Sequence, residues 1–225
     1  MASKWFMFKV AIVKAVVSEE TLAKQARKPS GWLGRNILKP MFVTGNAALN
    51  QFIFDLLAVQ PRDKLLEIGF GPGVLIKQLC EQEPASKIIG LDFSPTMLKQ
   101  AYSLNKKFIK RFQLTLIEGS SDDMPFDFEG FDSVFCANTL YFWQPPEPHL
   151  NEVFRVLKPG GKFVMGFRTG EQIDAMGLHP SIFARYTPEA VKALLLSIGF
   201  TDVSIESQSG FPVDSFCAVA RKPLT

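Results

Sequence analysis

The first residues that could do chemistry are Glu67-Ile68-Gly69-Phe70-Gly71-Pro72-Gly73, directly after a short apolar run. Glycines at alternate positions let the backbone turn sharply and approach a ligand closely. A helical pattern begins at Val74, so the free N–H groups of a helix N-terminus face the same space. A dinucleotide site uses such a turn to hold pyrophosphate, on the spacing GxGxxG. Here the third glycine comes one residue early, and Val74 stands where that spacing needs glycine. Glu67 adds a carboxylate beside the loop, which repels phosphate and attracts a cation. The pattern therefore favours a ligand with an ammonium group and no phosphates over NAD. Asp92 closes the following strand, 19 residues after Gly73. A carboxylate there can accept hydrogen bonds from ribose hydroxyls, in NAD or in another nucleoside. Phe93 follows it, with a ring that can lie against a nucleobase.

A second group of candidates lies beyond residue 138. Tyr141, Phe142 and Trp143 form an aromatic run suited to a flat or apolar molecule. His149 follows Pro145, Pro146 and Pro148, and His179 lies within RTGEQIDAMGLHPSIFARY, residues 168–186. Either histidine could act as a base, although a lone histidine more often has a structural role. Asp122, Asp123, Asp127 and Glu129 read as a solvated acidic loop.

Alternating strands and helices must position these groups. LLEI at 65–68, KIIGLD at 87–92, FQLTLIEG at 112–119, FDSVFCAN at 131–138 and KFVMGF at 162–167 read as strands. Helices are expected over 74–83, from Ser94-Pro95 to about 108, over 148–157 up to Pro159-Gly160-Gly161, and from Thr187-Pro188 to 196. Leu49, Phe52, Ile53 and Leu56 mark one more helix stripe, closed by Pro61. Residues 202–206 and 215–221 suggest a terminal antiparallel pair. The expectation is an α/β fold with a doubly wound, mostly parallel, seven-stranded Rossmann-like sheet and an antiparallel C-terminal strand pair. Ligands in such sheets bind beyond the carboxyl ends of the strands, at the topological switch point.

The chain has 225 residues, 47% apolar and 21% charged, which excludes extensive disorder. Residues 1–40 hold eight of the 25 bases and two of the 22 acids, so the arm is +6 and the remainder −3. We divide the chain into a basic and apolar N-terminal arm or lid, 1–44, and one catalytic domain, 45–225. The arm includes Trp32 and the apolar run WFMFKVAIVKAVV. It could pack on the body, on a second copy in an oligomer, or on a membrane surface as a peripheral contact. No stretch reads as a transmembrane helix or an export signal, so a cytoplasmic location is expected. Cys80, Cys136 and Cys217 are widely spaced and only two histidines are present, so no metal site is expected.

The successive segments LLEIGFGPG, GLDFSP, EGSSDDMPF, FDSVFCANTLYFW and RVLKPGGKFVMG resemble the motifs of class I S-adenosylmethionine-dependent methyltransferases. The small-molecule branch with the ubiquinone and menaquinone biosynthesis enzymes is the most similar. The resemblance spans about residues 45–221. It implies that Gly69, Phe70, Gly71 and Gly73 line the methionine and ribose of S-adenosylmethionine, with Glu67 near its ammonium. Asp92 would hold the ribose and Phe93 the adenine. Ser120 stands where the family often has an acid toward the adenine amino group, with Ser121 next to it; this is a departure. Asn138 would lie near the methionine carboxylate or the entering acceptor. The implied activity is methyl transfer to a small, aromatic or apolar acceptor, leaving S-adenosylhomocysteine, with His149 and Tyr141 as candidate catalytic residues. The alternative is a non-catalytic regulatory or assembly protein that binds the same cofactor. A nucleic-acid acceptor is disfavoured, because no nucleic-acid-binding module is recognisable.

Overall fold

The computed structural model describes residues 46–176, 178–210 and 213–224. The N-terminal arm, its apolar run and Trp32 lie outside the described residues. Helix α1 (Ala47–Leu57) leads into strand β1 (Lys64–Ile68), helix α2 (Val74–Gln82), β2 (Lys87–Asp92), α3 (Pro95–Lys110) and β3 (Leu114–Glu118). Then follow β4 (Phe131–Ala137), a 3-10 turn (Leu140–Phe142), α4 (Glu147–Val156) and β5 (Leu157–Phe167). The chain ends with α5 (Gly170–Ala175), α6 (Pro188–Ile198), β6 (Thr201–Gln208) and β7 (Ser215–Arg221).

The seven strands form one sheet in the order β3-β2-β1-β4-β5-β7-β6. Strands β1 to β5 are parallel, and β7 runs antiparallel to both β5 and β6. The chain winds outward from β1 in one direction and from β4 in the other. The switch point therefore falls between β1 and β4.

Burial on both faces explains the near-continuous apolar strands. Side chains alternate between faces, so neighbours in a strand enter different cores. Leu65, Phe135, Val164 and Cys217 pack with Leu49, Ile53, Ile76, Leu79 and Phe108 on the side of α1, α2 and α3. Leu66, Val134, Phe163 and Ala218 pack with Leu150, Val153, Val191 and Leu195 on the side of α4 and α6. Each fully buried Leu or Ile contributes roughly 2 kcal/mol through area removed from water.

Local chemistry sets the element ends. The Ser94 hydroxyl accepts from the Met97 N–H at the start of α3, with Pro95 next to the cap. Thr187 caps α6 in the same way, and Gly199 ends it in a left-handed conformation. In α1 the buried stripe is Leu49, Ile53 and Leu57, with Phe52 and Leu56 only partly covered. The helix is thus rotated slightly from the expected stripe, because it lands on Gly166 of β5. A Cβ on Gly166 would meet Ile53 Cδ1 at 2.7 Å. Strand β5 also begins earlier than the Pro-Gly-Gly stop suggests, since Leu157 already pairs with Phe131 before a register shift.

Among the described residues no helix is long and apolar enough to cross a membrane. No group of three or more His, Cys, Asp or Glu among them is placed to hold a metal ion.

Candidate active site

The carboxyl ends of β1, β2 and β4 bring one set of predicted residues together. Glu67 is the fourth residue of β1 and is 3% exposed. It lies on the side of α2, where the nearby backbone N–H of Ile76 partly offsets the rise in its pKa. Its Oε2 has no hydrogen-bond partner among the described residues. Burial first, and the Asp92 charge second, hold its pKa well above the ordinary range.

Asp92 ends β2 and is 6% exposed. Its Oδ2 accepts from Gly71 N at 2.9 Å and its Oδ1 from Ser94 N at 2.9 Å. Burial pushes its pKa up to about 6, against the lowering effect of those two N–H groups. Each oxygen has a second lone pair for a ligand. Two buried carboxylates, with the Asp92 charge disfavouring that of Glu67, form a site that a cation would stabilise.

The glycine loop joins them. Gly69 N donates to Leu91 O at 2.7 Å, which ties the loop to β2. Gly73 has φ +77°, and a Cβ there would meet Ala101 Cβ at 2.8 Å. This glycine lets α2 start against α3. Gly71 has φ +52°, but a Cβ there would meet nothing within 4 Å. The loop is therefore open at Gly71 and packed at Gly73. Phe70 contributes only backbone to the loop face, because its ring is buried in the core against the Gly90 position. Phe93 follows Asp92 and is 39% exposed, unusual for so large a ring.

Asn138 follows β4 with φ +58°, a left-handed geometry that Asn tolerates. Its N–H donates to Gly166 O at 2.8 Å, and its Nδ2 donates to Asn46 Oδ1 at 2.9 Å. Its buried Oδ1 has no partner among the described residues. Glu67 Oε2 and Asn138 Oδ1 thus leave two buried acceptors, one on each side of the switch point. Such atoms are costly unless a donor arrives.

The other predicted residues divide into two groups. Ser120 is exposed and its hydroxyl donates to the Asp122 carboxylate. Ser121 is buried, with Oγ 2.7 Å from His149 Nδ1, and the His149 ring stacks on Trp143 at 4.9 Å and 10°. Tyr141 lies in the 3-10 turn, in edge contact with Phe142 at 4.8 Å and tilted against Phe183 at 5.3 Å. Its carbonyl accepts from Ala184 N at 3.0 Å, which pins residues 178–186 to the end of β4. Burial raises the Tyr141 pKa, while the positive charge of Arg168 lowers it. Tyr141 is accordingly a neutral hydroxyl near pH 7. His179 is engaged locally, its Nδ1 2.7 Å from Ser181 Oγ.

Within residues 168–186 sequence reasoning singled out only His179, not Arg168 or Phe183, and it missed Asn46. Arg168 follows β5, and burial lowers its pKa without removing its charge. The position directly after a strand was the only signal for it. Phe183 and Asn46 reach the site through contacts that no local spacing encodes.

The residues present fit a nucleoside with a cationic amine. Two buried carboxylates, two unsatisfied acceptors, an open glycine loop and an exposed ring surround one switch point. Comparison with known proteins agrees. The methyltransferase domain family matches residues 66–165. The uncharacterized methyltransferase YdaC of Bacillus subtilis is 32% identical over 180 residues, covering 80% of this chain and 94% of that protein. The demethylmenaquinone methyltransferase of Thermus thermophilus is 26% identical, covering 65% of this chain and 78% of its own. Among solved structures, a SAM-dependent methyltransferase from Aquifex aeolicus superposes with TM-score 0.66 at 17% identity, covering 92% of this chain and 99% of that one. That likeness shows the fold, and the relatives show the family: the chain belongs to the class I S-adenosylmethionine-dependent methyltransferases.

Proposed function

We propose that the enzyme methylates a small molecule whose reacting part lies against the rings after β4. The observation that carries this reading is the pair of buried, unpartnered acceptors at the switch point, Glu67 Oε2 and Asn138 Oδ1. Glu67 receives the cofactor's ammonium, and the backbone of Gly69, Phe70, Gly71 and Gly73 lines its amino-acid end. Asp92 accepts from the ribose hydroxyls with lone pairs that Gly71 and Ser94 leave open. Phe93 covers the adenine, and Ser120 and Ser121 border it where the family often has an acid. When bound, S-adenosylmethionine supplies a methyl group already activated on a sulfonium.

The chain's remaining task is to hold a nucleophile in line with that methyl, about 3 to 3.5 Å away, and to exclude water. Tyr141, Phe142 and Phe183 form one wall for it, and Trp143 with His149 another. A base is needed only if the nucleophile carries a proton at neutral pH. His149, oriented by Ser121, is the imidazole placed for that role, and the neutral Tyr141 hydroxyl serves as a donor.

Calorimetric titration with S-adenosylhomocysteine tests the reading, with NAD as control and Asp92→Ala beside the wild type. Binding of the nucleoside but not NAD, lost in Asp92→Ala, is expected. Equal affinity in the variant would contradict the assignment.

A further inference from the structure

Helix α3 and the turn after it carry a one-sided charge. From Pro95 to Gln113 the chain has five bases, Lys99, Lys106, Lys107, Lys110 and Arg111, and no acid. Met97, Ala101, Asn105 and Phe108 face inward. At about 100° per residue, Lys99, Lys106 and Lys110 align along the opposite stripe, and all three are exposed. Lys107 turns aside to pair with Glu81 of α2 at 2.9 Å. Tyr102 borders the stripe and is exposed, whereas the exposed Leu104 lies toward the buried side of the helix.

Phe112 ends this face and is 83% exposed. Its φ is +55°, in the position after a helix where glycine is the ordinary residue. Its N–H donates to Ile109 O at 3.0 Å, and its carbonyl accepts from Lys87 Nζ at 2.8 Å. The backbone is thus anchored in a geometry costly for a bulky residue, while the ring projects into water directly after Lys110 and Arg111 in the chain. Neither folding nor the methyl-transfer site requires that arrangement.

We infer that this face docks the enzyme on an anionic lipid surface. Phe112 enters the boundary between headgroups and acyl chains, and Lys99, Lys106, Lys110 and Arg111 meet the anionic headgroups. The Phe112 ring has no polar atom and gains most from an apolar medium, while Lys99, Lys106, Lys110 and Arg111 complement an anionic surface. A convex helix surface suits a plane. The sequence of residues 1–40, with its net charge of +6 and its apolar run, is a second basic and apolar stretch in the same chain.

Sedimentation of the full chain with vesicles tests this, using phosphatidylcholine alone and phosphatidylcholine mixed with phosphatidylglycerol. Binding only to the anionic vesicles, weakened by salt, is expected. Replacing Lys99, Lys106 and Lys110 by Gln lowers partitioning about fivefold per charge. Phe112→Gly lowers it about tenfold while raising Tm, because glycine relieves the left-handed geometry. A merely structural Phe112 would not give that opposite pair of effects. Affinity for S-adenosylhomocysteine stays unchanged in both variants. Wild-type partitioning that neither variant alters overturns the inference, as does failure to bind anionic vesicles. Preferential binding of RNA that the lysine changes abolish would reassign the face to nucleic acid.

Discussion

The β1–β2 side of the switch point and the β4–β5 side are built from different materials. On the first, Glu67, the glycine loop and Asp92 lie close in sequence and are joined through backbone, Gly71 N to Asp92 Oδ2 and Gly69 N to Leu91 O. On the second, rings and polar groups meet from distant segments, Ser121 with His149 and Tyr141 with Phe183. On the proposed reading the first side would recognise its ligand with charge and fixed backbone, which cannot drift without breaking β1–β2 packing. The second uses side chains on turns and short helices, which can change with little cost to the sheet. A constant cofactor and a variable acceptor call for that division.

The largest break in the comparison is expected at Asp92. Its carboxylate holds both the loop and the proposed ribose, so Asp92→Ala lowers S-adenosylhomocysteine affinity by at least about a hundredfold, from two charged hydrogen bonds of roughly 1.5–3 kcal/mol each. In the wild type, affinity weakens as pH falls below about 6, where Asp92 takes up a proton. Calorimetry across that range checks both. An acceptor-side change such as Tyr141→Phe is expected to leave cofactor affinity intact and to alter turnover only.

Two of the three loop glycines sharpen the contrast within the first side. Gly73→Ala drives a methyl into Ala101 and costs several kcal/mol of stability on the scale of overpacking with backbone strain. Gly71→Ala meets no atom and costs about 1 kcal/mol for its positive φ. Its methyl instead projects into the ligand face, so binding falls more than stability. Thermal unfolding and titration of the two variants separate packing from recognition.

Glu67→Gln should strengthen the ligand-free fold. The folded-state pKa of Glu67 is raised, so its burial costs nothing below the pKa of the unfolded chain and progressively more as pH rises above it. The gain in Tm from Glu67→Gln therefore grows as pH rises above the pKa of the unfolded chain. A constant gain would show that packing, not charge burial, is responsible. The smallest effect is expected on the second side, where a double-mutant cycle of Ser121→Ala and His149→Ala gives a coupling of about 1 kcal/mol.

The first side was legible in the sequence for the same reason that it is rigid. Glu67, Gly69, Gly71, Gly73 and Asp92 act through strand ends and a turn whose spacing is local. The doubly wound, mostly parallel sheet, too, follows from alternation and crossover handedness. The Ser121–His149–Trp143 stack was not legible, because 28 residues separate its serine and histidine and their meeting depends on how α4 packs. Ser120 and Ser121 look equivalent in sequence, yet one faces solvent and the other is buried. The direction of the Phe70 ring was not legible either: it turns into the core toward Gly90 and leaves only backbone on the loop face.

The central claim is that Glu67 receives the cofactor's ammonium. Its most direct test compares S-adenosylhomocysteine with the analogue that lacks only the amino group, on wild type and Glu67→Gln. The wild type is expected to prefer the amine by at least about tenfold, as a buried charged hydrogen bond requires, and Glu67→Gln to lose that preference. An equal preference in both proteins would contradict the account and place the amine elsewhere.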